Sequence, residues 1–196
     1  VQIAVENYFI IHSYVSNDRT DYNTLIPVLE KHRKAFGEEL EEVTADSGYC
    51  SEKNLLYLKE KGIAGYIKLQ DHEKRKTRAY KEDISKYYNM TTQVFEDEHY
   101  YICHDGRELR HIRTETKEQE GYSQTFEVYG CADCSGCGHK ARCLYKYKEE
   151  KDSGRNKVMK INEQWESLKE AANANIQSEK GILKRKIRSI QTEGHF

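Results

Sequence analysis

Four of the six cysteines in this chain stand within thirteen residues, and this cluster constrains the fold more than any other feature. The segment Cys131-Ala-Asp-Cys134-Ser-Gly-Cys137-Gly-His-Lys-Ala-Arg-Cys143 holds two C-x-x-C steps and one further cysteine. Thiolates at this spacing on a tight turn bind one metal ion, and the intervening glycines allow the backbone to curl around it. We therefore expect a small module that is held together by a metal.

Zinc is the metal that this cluster favours, because a structural zinc site takes four ligands in a tetrahedron, commonly from two separate places in the chain. Cys103 lies at a turn between two β-prone runs and is the natural distant partner. The preferred ligands are Cys103, Cys134, Cys137 and Cys143, with Cys131 or His139 as substitutes. An iron–sulfur cluster is the alternative, although no proline follows the last cysteine of the run. A closed zinc site of this kind would be structural and not catalytic.

Composition excludes a membrane span and gives no bulk signal for nucleic acid. No apolar run approaches the roughly 18 residues that a spanning helix needs, and the first residues lack the basic segment of a signal peptide. We therefore expect a cytoplasmic location. The 32 Lys and Arg balance 33 Asp and Glu, so contacts with DNA would depend on local patches. The candidate patches are residues 140–151 and Lys184–Arg188.

The first seventy residues predict an α/β arrangement in which strands alternate with helices. The expected elements are, in order, a hairpin (2–6 and 9–14), a helix from Thr20 or Asp21 to about Phe36, a strand (41–45), a helix capped by Ser51 (52–61) and a strand (64–69). This order indicates a mixed sheet with flanking helices.

The rest of the chain predicts a β-rich insertion and a helical return. Residues 71–86 are dense in charge and are expected to form a linker or a loosely docked helix. Short strands are predicted at 100–103, 108–114 and 125–129, followed by helices from about Asn162 to Thr192 with a break near Ser178. The predicted parts are a core segment (1–70), a cysteine-rich insertion (71–160) and a helical return to the core (161–196).

Two carboxylates are candidates for chemistry. Asp46 follows a predicted strand and precedes Ser47-Gly48-Tyr49, at the strand end where open α/β sheets place their sites. Glu193 follows a helix in which Leu183, Ile187 and Ile190 recur at helical spacing, so we expect that face to pack and Glu193 to lie near its edge.

Two motifs resemble the DDE-type transposases of bacterial insertion sequences. Gly181-x-x-x-Arg185-x-x-Arg188-Ser-Ile-Gln-x-Glu193-Gly-x-Phe196 is similar to their terminal catalytic motif, and Ala45-Asp46-Ser-Gly-Tyr49 to their second acidic motif. These proteins also place a cysteine-rich insertion between the second and third acidic residues. The resemblance implies a ribonuclease H-like mixed sheet with flanking helices, interrupted by a small, β-rich, metal-stapled insertion.

The resemblance also implies a site and partners. Asp46 and Glu193 would be two of the three carboxylates that hold Mg²⁺, while Arg188, Arg185 and Lys186 would contact the DNA of transposon ends. Arg185 stands where many relatives have Tyr. No Asp on the opening strand completes the triad, and Glu6 is the only stand-in there. We therefore expect a transposase fragment that is inactive alone and acts as a homodimer on paired ends when complete. The alternative is a non-catalytic, zinc-stapled module that binds nucleic acid or protein.

Overall fold

The chain divides into two compact units, Val1–His72 with Trp165–Phe196, and Glu73–Gln164. We call them unit 1 and unit 2. The computed structural model describes residues 1–37, 40–96, 98–119 and 122–193, and the side chains of Gln119, Thr192 and Glu193 lie outside this description. Unit 1 is thus built from the two ends of the sequence, and unit 2 from the stretch between them.

Strands and helices of the described residues are numbered along the chain. The strands are β1 (Gln2–Glu6), β2 (Phe9–Tyr14), β3 (Glu42–Ala45), β4 (Ala64–Ile67), β5 (Thr91–Phe95), β6 (Glu98–Ile102), β7 (Glu108–Gln119), β8 (Tyr122–Cys131) and β9 (Val158–Ile161). The helices are α1 (Leu25–Phe36), α2 (Glu52–Glu60), α3 (Arg78–Lys81), α4 (Lys140–Cys143), α5 (Glu149–Asp152), α6 (Glu163–Gln177) and α7 (Glu179–Glu193).

The strands of unit 1 form two separate pairs. β1 and β2 make the predicted antiparallel hairpin, and β3 and β4 pair in parallel. Among the described residues no strand bridges these two pairs, so the single mixed sheet predicted from the sequence is not formed by them. What is confirmed is a mixed α/β architecture.

Local signals explain where the helices of unit 1 begin and end. Ser51 caps α2 as predicted, since its hydroxyl accepts the backbone N–H of Asn54 at 3.3 Å. Gly37 ends α1 in the left-handed conformation, with φ of 67°. α1 begins later than predicted because residues Asp21–Asn23 form a 3-10 turn first.

The core of unit 1 joins residues that are far apart in sequence. α1 and α2 contribute leucines, and α6 contributes its buried face. Ile67 of β4 and Leu69, two residues further on, add two more aliphatic side chains. The buried members are Leu25, Leu29, Cys50, Leu55, Leu58, Ile67, Leu69, Leu168 and Ala172. Burial of this apolar surface stabilises the packing of α6, which follows unit 2 in the sequence, on the core of unit 1.

Unit 2 is built on an antiparallel five-stranded sheet in the order β5-β6-β7-β8-β9. Its core holds Leu109, Tyr129, Met159 and Ile161 together with two cysteines. β7 and β8 run well beyond the strands predicted from sequence. The segment at 71–86, predicted as a linker or a docked helix, contains one 3-10 turn, Lys74–Lys76, and α3.

Among the residues that the structure describes, no helix is long and apolar enough to cross a membrane.

Candidate functional site

Asp46 lies at the carboxyl end of β3, where it begins a 3-10 turn. Its Oδ1 accepts the backbone N–H of Ser47 at 2.8 Å, and its side chain is 63% exposed. Its Oδ2 is 3.4 Å from Nη2 of Arg188. The carboxylate is therefore accessible, and its nearest described cation comes from α7.

Ion pairs fix α7 along β3. Glu42, the first residue of β3, pairs with Lys180 at 2.7 Å and with Lys184 one helical turn later. Arg188, a further turn along, reaches Asp46 just after the end of β3. Hydrogen bonds from Lys180 and Lys184 hold the pKa of Glu42 below its usual value. The helix and the strand thus run in the same direction, and α7 extends past the end at which Asp46 lies.

The face of α7 that packs differs from the predicted one. Leu183 and Ile190 are 55% and 62% exposed while Ile187 is half-buried, so most of the predicted apolar stripe faces solvent. Gly181 is the buried residue instead, because a Cβ there would lie 2.0 Å from the carbonyl oxygen of Asn175. The close approach of α6, together with the ion pairs to β3, selects the face that carries the glycine and the basic residues.

Three predicted residues of α7 lie differently with respect to solvent. Lys186 is exposed, whereas Arg185 is half-buried and its Nε is covered. Glu193 is the last residue of α7, and its side chain lies outside the described residues, as do residues 194–196. Helical geometry puts Glu193 about 140° around the axis from Arg188 and beyond it along the chain.

A second carboxylate, missed from the sequence, lies beside the Asp46 turn. Asp21 packs against Gly48 so closely that a Cβ there would be 2.9 Å from its Oδ2. Gln2 donates to Asp21 at 2.9 Å and accepts the hydroxyl of Tyr49 at 2.5 Å. Burial, followed by the negative charge of Asp21, raises the pKa of Tyr49. No spacing in the sequence signals this contact, since Asp21 is recognisable there only as a helix cap.

Asn54 anchors the backbone around both carboxylates. Its amide is almost fully buried and donates to the carbonyl oxygens of Tyr22 at 2.9 Å and Tyr49 at 2.8 Å. One side chain therefore ties the turn that carries Asp21 to the turn that carries Asp46.

Glu6 lies away from this cluster. It is exposed and pairs with Phe9 at the hairpin end of β1, about 13 Å along the strand from Gln2. The proposed stand-in for a missing Asp is thus at the wrong end of its strand.

The described residues of this region do not by themselves form a magnesium site. Throughout 1–37, 40–96, 98–119 and 122–193, no three His, Cys, Asp or Glu side chains are grouped so as to hold a metal ion. Asp46 offers a hard oxygen donor of the kind that Mg²⁺ prefers, but the other expected ligand, Glu193, has no described side chain.

Unit 2 gathers five of the six cysteines around one pocket. The lining includes all of the predicted thiol ligands, two imidazoles and a lysine: Cys103, Cys131, Cys134, Cys137, Cys143, His104, His139 and Lys157. The sixth cysteine, Cys50, belongs to the core of unit 1.

Two tight turns carry three of these thiols. The N–H of Gly106 donates to the carbonyl of Cys103 at 2.9 Å, and that of Cys137 to the carbonyl of Cys134 at 3.3 Å. Arg107 joins the turns, because its guanidinium donates at 2.7 Å and 2.8 Å to the carbonyls of residues 133 and 135, on either side of Cys134. The distant partner is thereby held beside the main cluster.

Hydrogen bonds distinguish the sulfur atoms from one another. Sγ of Cys134 accepts the backbone N–H of Lys157, and Sγ of Cys137 accepts that of His139, both at 3.4 Å. Cys131 instead donates its S–H to the carbonyl of Asp133 at 3.2 Å, and burial raises its pKa to about 11. Cys134 is arranged as an acceptor, the role that suits a thiolate, whereas Cys131 is arranged as a thiol. Cys137 both accepts the N–H of His139 and hydrogen-bonds to the carboxylate of Asp105.

Lys157 places a largely buried ammonium group beside the thiols. Its Nζ donates to the carbonyls of Ser85 at 2.7 Å and Cys143 at 3.2 Å. Burial lowers the pKa of Lys157 and raises that of Cys143. A cation in this position favours negative charge on the neighbouring sulfurs.

The donor chemistry of this pocket suits zinc, but the donors do not converge. Soft thiolates and imidazoles are the ligands that zinc takes. Yet no three of these side chains meet at one point in the part of the chain that the structure describes. The five thiols share a pocket without forming a finished coordination sphere.

These features define an α/β protein that has an exposed carboxylate at a strand end and a separate, cysteine-rich β unit. Residues 102–196, just under half of the chain, match the family model of the transposase DDE domain. The match runs from β6 through the cysteine cluster to the α7 motif, and the resemblance to DDE-type transposases is thereby confirmed. No curated protein and no solved structure was found to match the chain.

Proposed function

We propose that this chain is part of the catalytic region of a DNA transposase, which in the complete protein performs metal-dependent cleavage and transfer of DNA strands. The observation that carries the proposal is the family match, which ends on the helix that the ion pairs hold along β3. Through this arrangement the Glu193 motif and the Asp46 turn belong to one compact unit.

We also propose that unit 1 is a ribonuclease H-like core and that unit 2 is its insertion. In support, the chain leaves unit 1 after β4 and returns through α6 to the same core. The rival interpretation treats the two units as unrelated domains, and a strand that links β1–β2 with β3–β4 in a longer form of the protein would decide between them.

Asp46 and Glu193 are the proposed catalytic carboxylates. DDE transposase domains generally use Mg²⁺, which in such sites activates a nucleophile and stabilises the leaving oxygen of an in-line displacement. Asp46 would supply an exposed oxygen at the strand end, and Asn54 would keep its turn fixed. Arg188 neutralises Asp46 in the structure, so the pair must separate or rearrange when a cation binds there.

Arg188, Arg185 and Lys186 are the proposed contacts of α7 with DNA. Lys186 is exposed and suits a phosphate contact directly. Arg188 would leave its ion pair with Asp46 and pair with a phosphate of the DNA. Arg185 is half-buried, so its side chain would need to turn outward to reach DNA. A homodimer on paired transposon ends is part of this proposal.

The test combines DNA binding with strand cleavage by the full chain. We expect duplex binding that strengthens in Mg²⁺ and no measurable cleavage, since one expected carboxylate is missing from the chain. Asp46→Asn should remove the Mg²⁺ dependence, whereas Glu6→Gln, the matched control, should keep it. Robust metal-dependent cleavage by clean protein would contradict the expectation of inactivity.

The alternative function is a non-catalytic, zinc-stapled module that binds nucleic acid or protein. The cysteine pocket favours it, because the pocket requires neither Asp46 nor Glu193. If the affinity for DNA is the same with and without Mg²⁺ and is unchanged by Asp46→Asn, the result would support this alternative and count against the enzyme.

We further propose that the pocket of unit 2 binds a structural zinc ion. The proposed ligands are Cys103, Cys134, Cys137 and Cys143, with Cys131 or His139 as substitutes. The N–H bonds to Cys134 and Cys137 support the first set, and the S–H donation by Cys131 argues for its substitute role.

Cobalt substitution tests this site. Co²⁺ bound by four thiolates gives intense visible absorption, and we expect it to disappear in Cys134→Ser and to remain in Cys50→Ser. If the protein is brown when isolated and contains iron and sulfide, the pocket holds an iron–sulfur cluster and not zinc. Failure to bind either metal would refute the site.

A further inference from the structure

The strongest free positive charge in the described residues lies in unit 2 and not on α7. Residues 74–86 contain six Lys and Arg against two Asp and Glu, whereas the whole chain carries a net charge of −1. We call this segment the 74–86 surface. The cations that the resemblance assigns to DNA, by contrast, are partly engaged, since Arg188 pairs with Asp46.

An ordered scaffold displays these charges. Asn89 donates to the carbonyls of Tyr80 at 2.8 Å and Asp83 at 3.1 Å. The rings of Tyr80 and Tyr88 stack at 4.5 Å with an interplanar angle of 10°. Lys157 holds the carbonyl of Ser85 from the cysteine pocket. Because the backbone is fixed in this way, binding would order only the lysine side chains and not the segment itself.

Three lysines of the surface are free to meet a partner. Lys76 and Arg78 pair with glutamates at 3.0 Å and 2.8 Å. Lys74, Lys81 and Lys86 are exposed and form no salt bridge among the described residues, although Lys86 interacts electrostatically with Asp83. Exposed ammonium groups without a salt bridge are the groups that phosphates neutralise with the least loss of existing contacts.

A second basic run offers a comparison within the same unit. Residues 140–151 hold several lysines, but Lys140 is buried and donates to the carbonyl of Ser153, and two glutamates stand among the others. That run carries five Lys and Arg against two Glu, a net charge of +3 compared with +4 for the 74–86 surface, and it lacks the stacked tyrosines. It therefore serves as a matched control and not as a rival surface.

We infer that the 74–86 surface binds the phosphate backbone of duplex DNA without reading its sequence. This inference rests on the proposed function, which makes DNA the substrate, and it names a surface outside the resembling motifs. Lys74, Lys81 and Lys86 would each contact phosphate, and the partly exposed ring of Tyr88 would lie beside the sugar edge. The expected role is to position DNA relative to the protein.

The experiment measures fluorescence anisotropy of a labelled duplex of about 30 base pairs with the full chain. The test variant carries Lys74→Gln, Lys81→Gln and Lys86→Gln, and the control carries Lys146→Gln, Lys148→Gln and Lys151→Gln, with the same change of charge. We expect the test variant to bind at least about 10-fold more weakly, and its salt slope to fall by about 2 to 3, one phosphate contact per lysine. The control should change less than about threefold.

Each outcome has a separate meaning. If the wild-type chain binds the duplex and the two triple variants weaken equally or not at all, the 74–86 surface is wrong while the proposed function stands. If the wild-type chain binds no duplex, both are overturned. Circular dichroism of each variant checks that the fold is retained, which these exposed substitutions are expected to leave intact.

Discussion

Replacing Asn54 by Ala should destabilise unit 1 by about 2–3 kcal/mol. The side chain is 1% exposed and makes two hydrogen bonds to the carbonyls of Tyr22 and Tyr49. Each bond contributes about 1 kcal/mol net, and each buried carbonyl left without a donor costs about 1–3 kcal/mol unless water reaches it. Against this cost, Ala has the better helix propensity, which offsets about 0.5 kcal/mol. The Oδ1 of Asn54 is itself buried without a hydrogen-bond partner, so its removal offsets about 1 kcal/mol more. The turns that carry Asp21 and Asp46 should therefore loosen together.

Urea unfolding followed by tryptophan fluorescence measures this effect. The chain has a single Trp, Trp165, and it packs against the core of unit 1, so its emission reports on that unit. Lys53→Ala, an exposed change in the same helix, is the control and should stay within about 0.5 kcal/mol of wild type. If Asn54→Ala unfolds at the same urea concentration as the control, the view that this amide anchors the site is refuted.

Three further predictions follow from single contacts. Gly181→Ala should cost about 3 kcal/mol, because its Cβ would collide with a backbone carbonyl of α6, while Gly154→Ala, with open space around it, should be nearly neutral in the same urea assay. Glu42→Gln should cost about 1 kcal/mol at pH 7. Since the pKa of Glu42 is lowered by its hydrogen bonds from two lysines, the difference from wild type should vanish as pH falls through a value below the usual 4.5. Arg107→Lys should weaken Co²⁺ binding about 10- to 100-fold, because it loses the paired donations that hold the two cysteine turns together, and an unchanged affinity would contradict that role.

Sequence patterns predicted the local elements of unit 1 well because the signals are short-range. The hairpin at 2–14, the cap at Ser51 and the helix break at Ser178 depend on residues within a few positions of one another. Pairing between strands is a long-range property, so the separation of β1–β2 from β3–β4 could not be foreseen.

The candidate site around Asp46 could likewise be predicted only where it depends on local sequence. Asp46 was identified from its motif, and the structure places it at the strand end as expected. The approach of Asp21 to Gly48 depends on tertiary packing and carries no sequence signal. The face of α7 was mispredicted because hydrophobic periodicity favours Leu183 and Ile190, whereas Gly181 and the ion pairs to Glu42 outweigh it.

Binding of Mn²⁺, measured by electron paramagnetic resonance, tests the central claim most directly. Free Mn²⁺ in water gives a sharp six-line signal that is lost on binding, so the bound fraction can be followed in the wild-type chain, in Asp46→Asn and in Glu193→Gln. We expect weak binding of Mn²⁺ by the wild-type chain and loss of binding in both variants, while Glu6→Gln behaves as wild type. Equal binding by all four proteins would contradict the assignment of Asp46 and Glu193 to one metal-dependent site.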